Sequence, residues 1–144
     1  MSATDIHLTP QDAMIYLMVM AAAADGRIEN SELRTIGRVV RSFAVFDELD
    51  EARLVETAEA CGRMMSGENG MRDVLGAAKA AIPAHLNETA YAAAVDVVTA
   101  DESLDPTEIR ILTLIRETLD VTDQGAEAIE HAARARHMTL ARPN

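Results

Sequence analysis

Cys61 is the only cysteine among 144 residues. A lone thiol excludes a disulfide framework and a cysteine-ligated zinc site, and it points to a reducing, cytoplasmic setting. Aromatic side chains are almost as scarce: Tyr16, Tyr91, Phe43 and Phe46, with no tryptophan. Long apolar runs are missing as well. The longest, Ala13 to Ala24, is 12 residues bounded by Asp12 and Asp25, whereas a membrane span needs about 20. No basic stretch of the kind that opens an export signal is present, and Asp5 stands in its place. Positive charge is short throughout, with 13 basic against 24 acidic residues and a formal net charge of −11. Residues 1–72 hold seven basic and twelve acidic side chains, and residues 73–144 hold six and twelve. Without a basic arm the chain is not built to bind nucleic acid.

Apolar residues are abundant, at 49%, which is too many for a disordered acidic tail. One domain over residues 1–144, with a buried core, is the expectation for this length. Alanine supplies 26 residues, and alanine is the best helix former and lets helices approach closely. No window alternates β-branched and aromatic residues between turn signals, so strands are not supported. The fold class is all-α, a compact bundle of about seven helices.

Helix punctuation places those seven. Thr9 caps a first helix with Pro10 at its first position and Asp12 in its first turn, and Gly26 follows its end at Asp25. The second runs from about Glu29 to Ala44 with Leu33, Ile36, Val40 and Phe43 on one stripe. Asp50 opens a third, striped by Leu54, Ala58, Cys61 and Met65 and closed by Gly67. A fourth runs from about Gly70 to Ile82, where Pro83 stops it. The fifth starts near Asn87, carries Tyr91, Ala94, Val95 and Val98, and ends around Asp101. Asp105-Pro106-Thr107-Glu108 is a capping-box-like start for a sixth carrying Ile109, Leu112, Ile115 and Leu119. Thr122 caps a seventh that reaches about His137.

Two stretches match without gaps at an offset of 76 residues. Ala24-Asp25-Gly26-Arg27-Ile28-Glu29-Asn30-Ser31-Glu32-Leu33-Arg34 aligns with Ala100-Asp101-Glu102-Ser103-Leu104-Asp105-Pro106-Thr107-Glu108-Ile109-Arg110. The match reads as a duplicated helix-turn-helix unit, a first repeat over about 9–67 and a second over about 85–137. In each turn an aliphatic residue (Ile28, Leu104) plugs the gap between the two helices. Glu29 and Asp105 occupy N-cap positions, and Glu32 and Glu108 follow three residues on, where the helix dipole favours a carboxylate. Asp25 and Asp101 are placed less comfortably. Each sits at the C-terminal end of a helix, where the unpaired carbonyls already present negative charge. Either free N–H groups of the next helix or a hard cation of the calcium or magnesium type, which prefers oxygen ligands, would compensate that charge. The loops are not EF-hands. Asp101, Ser103 and Asp105 imitate the first three ligand positions, but Pro106 replaces the required glycine and Leu112 the required glutamate. A metal therefore needs acids from both turns, or from a neighbouring chain in a homo-oligomer.

A helix ending in Ala-Ala-Ala-Asp-Gly and followed by Arg-Ile-Glu-Asn-Ser-Glu-Leu resembles the tellurite-resistance TerB family. It is also similar to the related domain of some membrane-anchored DnaJ-like co-chaperones. The resemblance covers about residues 9 to 137. It implies a small domain of duplicated helices with an acidic cluster that binds divalent metal. It further implies stress-response protein partners, some at the cytoplasmic face of the membrane. Position by position, Asp25, Gly26, Glu29 and Glu32 match the first motif, and Asp101, Asp105 and Glu108 the second. The chain departs from the pattern at Glu102, where the second copy would carry glycine.

The other chemistry-bearing residues read as structural. His7, His85, His131 and His137 share no i, i+4 face, so a histidine metal site is not expected. Cys61 lies on an apolar stripe as a small buried hydrophobe, and Met14, Met18, Met20, Met64, Met65 and Met71 read as core filler. No phosphate loop, no nucleophile–base set and no Glu-x-x-His pair of a dimetal bundle occurs. The function expected is non-enzymatic: a domain whose acidic turns bind a divalent cation or an Arg-rich partner. The alternative is a structural adaptor whose acids only cap helices and whose Met-containing surface recruits partners.

Overall fold

The computed structural model describes residues 8–23, 27–100 and 105–141. Among them seven α-helices and no strands are present: α1 (Pro10–Ala22), α2 (Asn30–Ser42), α3 (Glu51–Met65), α4 (Gly70–Ala81), α5 (Asn87–Thr99), α6 (Pro106–Thr118) and α7 (Asp123–Arg136). The all-α reading holds. Short 3-10 turns at Ala44–Phe46 and Ala84–Leu86 lead towards α3 and α5.

The core is built on α1 and α5, which pack against each other. Every residue of α1 from Asp12 to Ala21 is buried, as a helix apolar on all sides must be. In α5, Ala90, Tyr91 and the run Ala93 to Val98 are buried. The other five helices cover this pair. α2, α3, α4 and α6 all touch α1, and α2, α6 and α7 touch α5. Met14, Met18 and Met20 are fully enclosed, while Met64, Met65 and Met71 are half-buried against the core. Cys61 is buried, as its stripe implies.

The helix starts follow the local chemistry. Thr9 Oγ1 accepts from the Asp12 amide at 3.0 Å, and Asp12 Oδ2 accepts from the Thr9 amide at 3.4 Å. Asp50 Oδ1 accepts from the Arg53 amide at 2.6 Å, and Thr122 Oγ1 from the Gly125 amide at 3.0 Å. Some ends differ from the sequence reading. α1 stops at Ala22, with the Ala23 amide bonded to Val19 O at 2.7 Å; Asp25 and Gly26 lie outside the described residues. α2 stops at Ser42, because the chain turns at Phe43 into the 3-10 segment. The expected stripe of α6 is also corrected. Ile109 is half-exposed, and Ile111 takes the buried place beside Leu112, Ile115 and Leu119. α6 packs on α1, α4 and α5 together, so its apolar face is wide and lies to the far side of Ile109.

Two buried acids tie the layers. Asp12 on α1 takes Arg53 from α3, Nε to Oδ1 at 3.2 Å and Nη2 to Oδ2 at 2.5 Å, with Thr57 Oγ1 adding 3.2 Å to Oδ1. Asp96 on α5 takes Arg136 Nη2 from the end of α7 at 2.6 Å. Tyr91 donates its hydroxyl to Glu130 Oε2 at 2.6 Å, a second link between α5 and α7. Neither acid is left as an uncompensated buried charge.

Candidate functional site

The first turns of α2 and α6 meet at one cavity of about 300 Å³. Glu32 from α2 and Glu108 from α6 both line it, and these residues are the matched pair of the 76-residue offset. The walls are Ala22 at the end of α1, Val97 and Ala100 at the end of α5, and Ser31 and Thr35 on α2. Packing of α1 on α5 brings Ala22 and Ala100, at the two helix ends, to the same cavity.

Local capping sets the pose of both carboxylates. Glu32 Oε1 accepts from the Glu29 amide at 2.8 Å, and Glu108 Oε1 accepts from the Asp105 amide at 3.1 Å. In the second turn the bond is reciprocal, since Asp105 Oδ1 accepts from the Glu108 amide at 2.9 Å. Glu29 and Asp105 occupy the N-cap positions assigned from sequence. The structure therefore brings Glu32 and Glu108 to one cavity and places Glu29 and Asp105 at the helix starts beside it. Asp25 and Asp101, the two aspartates on which the cation argument leaned, lie outside the described residues. The plug Ile28 is half-buried against the core, and its counterpart Leu104 is also outside them.

The donor set at the cavity consists of oxygen. Two carboxylates and the hydroxyls of Ser31 and Thr35 are hard ligands, suited to calcium or magnesium and poor for a soft metal. Among the described residues no group of three or more His, Cys, Asp or Glu side chains converges on a point. Sequence reading did not single out Ser31 and Thr35, although Ser31 stands within the matched motif and Thr35 one turn further on.

The remaining candidates stay structural. His85 and His131 are exposed, and His137 Nε2 lies 3.4 Å from Asp96 Oδ1. The Cys61 thiol contacts Tyr16 O at 3.4 Å, and burial pushes it up to about 12. A thiol held protonated to that extent is no nucleophile at neutral pH.

No helix among the described residues is long and apolar enough to cross a membrane. No curated protein and no solved structure matches the chain. The family model described as tellurite resistance protein TerB matches residues 11–131, which takes in α1 through most of α7 and every residue that lines the cavity of Glu32 and Glu108. The chain belongs to the TerB family.

Proposed function

We propose that this TerB-family domain is a non-enzymatic binding module whose paired acidic turns hold a divalent cation, calcium or magnesium in preference to zinc. The observation that carries the reading is the shared cavity of Glu32 and Glu108. Two carboxylates delivered from separate helix starts to one space offer oxygen ligands of the kind a hard cation takes. Each carboxylate is pre-oriented by its bond to a backbone amide, as supporting bonds orient metal ligands elsewhere. Asp25, Glu29, Asp101 and Asp105, the other acids of the matched motif, are the further ligands this reading takes. The family membership places this module in tellurite-resistance-related biology at the level of the family. Partners in a stress-response complex, in the cytoplasm and at the membrane face, extend that reading.

Calorimetric titration with calcium, magnesium, manganese and zinc tests it, on the wild-type protein, on Glu32→Gln/Glu108→Gln and on Asp25→Asn/Asp101→Asn. Glutamine keeps the capping oxygen and removes the charge, so the first variant keeps its fold while losing ligands. Saturable heat for calcium or magnesium in the wild type, weakened at least tenfold in both variants, is the expected result. Equal and negligible heats in all three proteins overturn it.

One observation favours the adaptor reading. Glu32, Asp105 and Glu108 each hold a backbone amide, so their types have a structural reason without a ligand. In that case the half-buried Met64, Met65 and Met71 provide the adaptable apolar surface that recruits a partner.

A further inference from the structure

The sign of the charge changes along α2. From Leu33 to Phe46 fourteen residues contain three arginines and no acid, in a chain where 24 of 144 residues are acidic. Arg34, Arg38 and Arg41 are spaced four and three apart, so they share one face of the helix. All three are exposed, and all three line a cavity of about 450 Å³ between α2 and α3. Its floor is apolar, formed by Leu33 and Gly37 from α2 with Leu54 and Val55 from α3, and Glu51 is its single acid. Gly37 keeps that floor low. A Cβ there would stand 3.5 Å from Arg41 Nη1 and 3.7 Å from Leu54 Cδ2, so the place is open to a side chain and carries none.

Among the described residues Arg53, Lys79, Arg116 and Arg136 form ion pairs. The α2 arginines take no part in them, and Arg38 Nη2 makes only a 3.3 Å bond to Thr35 Oγ1. Guanidinium groups are weakly hydrated, and they pair well with carboxylates beside a low-dielectric wall. The geometry selects among anions. Arg34 to Arg41 extends over roughly 10 Å at the α-helical rise, a line of charge longer than one phosphate or carboxylate. The apolar floor calls for apolar side chains, which a phosphate backbone lacks. The net charge of −11 opposes a long polyanion, whereas a short segment feels mainly the charges within a Debye length of about 8 Å.

We propose that the α2–α3 groove docks an acidic amphipathic helix of a partner protein. Carboxylates at i, i+4 and i+7 of that helix pair with Arg34, Arg38 and Arg41, and its apolar side chains rest on Leu33, Leu54 and Val55. This is the helix-in-groove mode with charge supplying the register. It uses none of the acids assigned to the cation, so either proposal can fail without the other.

The test is fluorescence anisotropy on the full chain with a labelled 18-residue helical probe peptide carrying Glu at i, i+4 and i+7 beside a leucine stripe. A second peptide has Gln for each Glu, and an 18-nucleotide oligothymidine serves as the alternative polyanion. The protein variant is Arg34→Gln/Arg38→Gln/Arg41→Gln, whose exposed side chains leave folding intact, as its circular dichroism and melting temperature verify. The expected result is saturable binding of the Glu peptide, weakened at least tenfold by the triple variant and by the Gln peptide. Raising the salt from about 50 to about 300 mM weakens it several-fold. No binding of the Glu peptide, equal binding of the two peptides, unchanged affinity in the variant, or tighter binding of the oligonucleotide would each overturn the proposal.

Discussion

Arg53 reaches from α3 to Asp12 on α1 with two nitrogens, at 3.2 and 2.5 Å, and so fixes a carboxylate that is only 5% exposed. Burial by itself would raise the Asp12 carboxyl. The hydrogen bonds from Arg53 and the Thr9 amide, together with the Arg53 charge, outweigh it and bring the group below its ordinary value of 3.8. A depressed carboxyl contributes stability that is complete above the unfolded value and is lost as pH falls through the folded one. The wild-type protein is therefore expected to lose stability on acidification from about pH 4 downward, and Asp12→Asn to show a flatter acid limb and lower stability at neutral pH. Arg53→Met is expected to lower stability at pH 7, by less than for an enclosed pair because the guanidinium is half-exposed. Urea unfolding at a series of pH values measures all three.

Gly70 starts α4 directly behind the end of α3. A Cβ at this position would lie 2.1 Å from Met65 O and 2.7 Å from Met65 Cα, and backbone cannot swing aside as a side chain does. Gly70→Ala should destabilise the domain by about 1–3 kcal/mol through overpacking. Gly76 is the control, since it stands in the same helix with nothing within 4 Å of its added Cβ. Gly76→Ala should be neutral or stabilising by up to about 1 kcal/mol, the glycine-to-alanine helix preference. Melting curves of the two variants side by side give the contrast.

Features set by three or four adjacent residues were legible in the sequence. Thr9-Pro10, Asp105-Pro106 and Thr122 each announce a helix start, because a cap is a bond between near neighbours. Partners 40 or so residues apart were not legible. Nothing local tells Asp12 that its cation is Arg53, or Asp96 that its cation is Arg136. Ile109 shows the limit of periodicity: on a helix touching three others, several stripes satisfy the same spacing, and packing decides between them. The acidic pair was half legible. The offset of 76 matched Glu32 with Glu108, but only the packing of α1 on α5 shows that they face one cavity.

Cys61 is fully buried, and its thiol is pushed up to about 12 by desolvation. The thiolate is the reactive form, so a disulfide reagent at about pH 8 should leave the native protein unlabelled over hours. The single thiol should react within minutes in strong denaturant. Rapid labelling of the folded protein would mean that α3 opens locally and would place this helix at the low end of the domain's stability.

Variants of Glu32 and Glu108 separate structure from charge. Glu32 and Glu108 each cap a helix through Oε1, so Glu32→Ala and Glu108→Ala should each lose about 1 kcal/mol with the orphaned amide. The corresponding glutamine variants keep the acceptor and should lose little of that. If Glu32 and Glu108 also repel across their cavity, the double glutamine variant should be at least as stable as the wild type without metal, because it removes the like charges. Added calcium or magnesium should then raise the melting temperature of the wild type and leave that variant unmoved, since a ligand stabilises only the state that binds it. Thermal unfolding with and without millimolar cation reads both effects in one series. Equal shifts in the two proteins would place the ion elsewhere and leave the glutamates as caps.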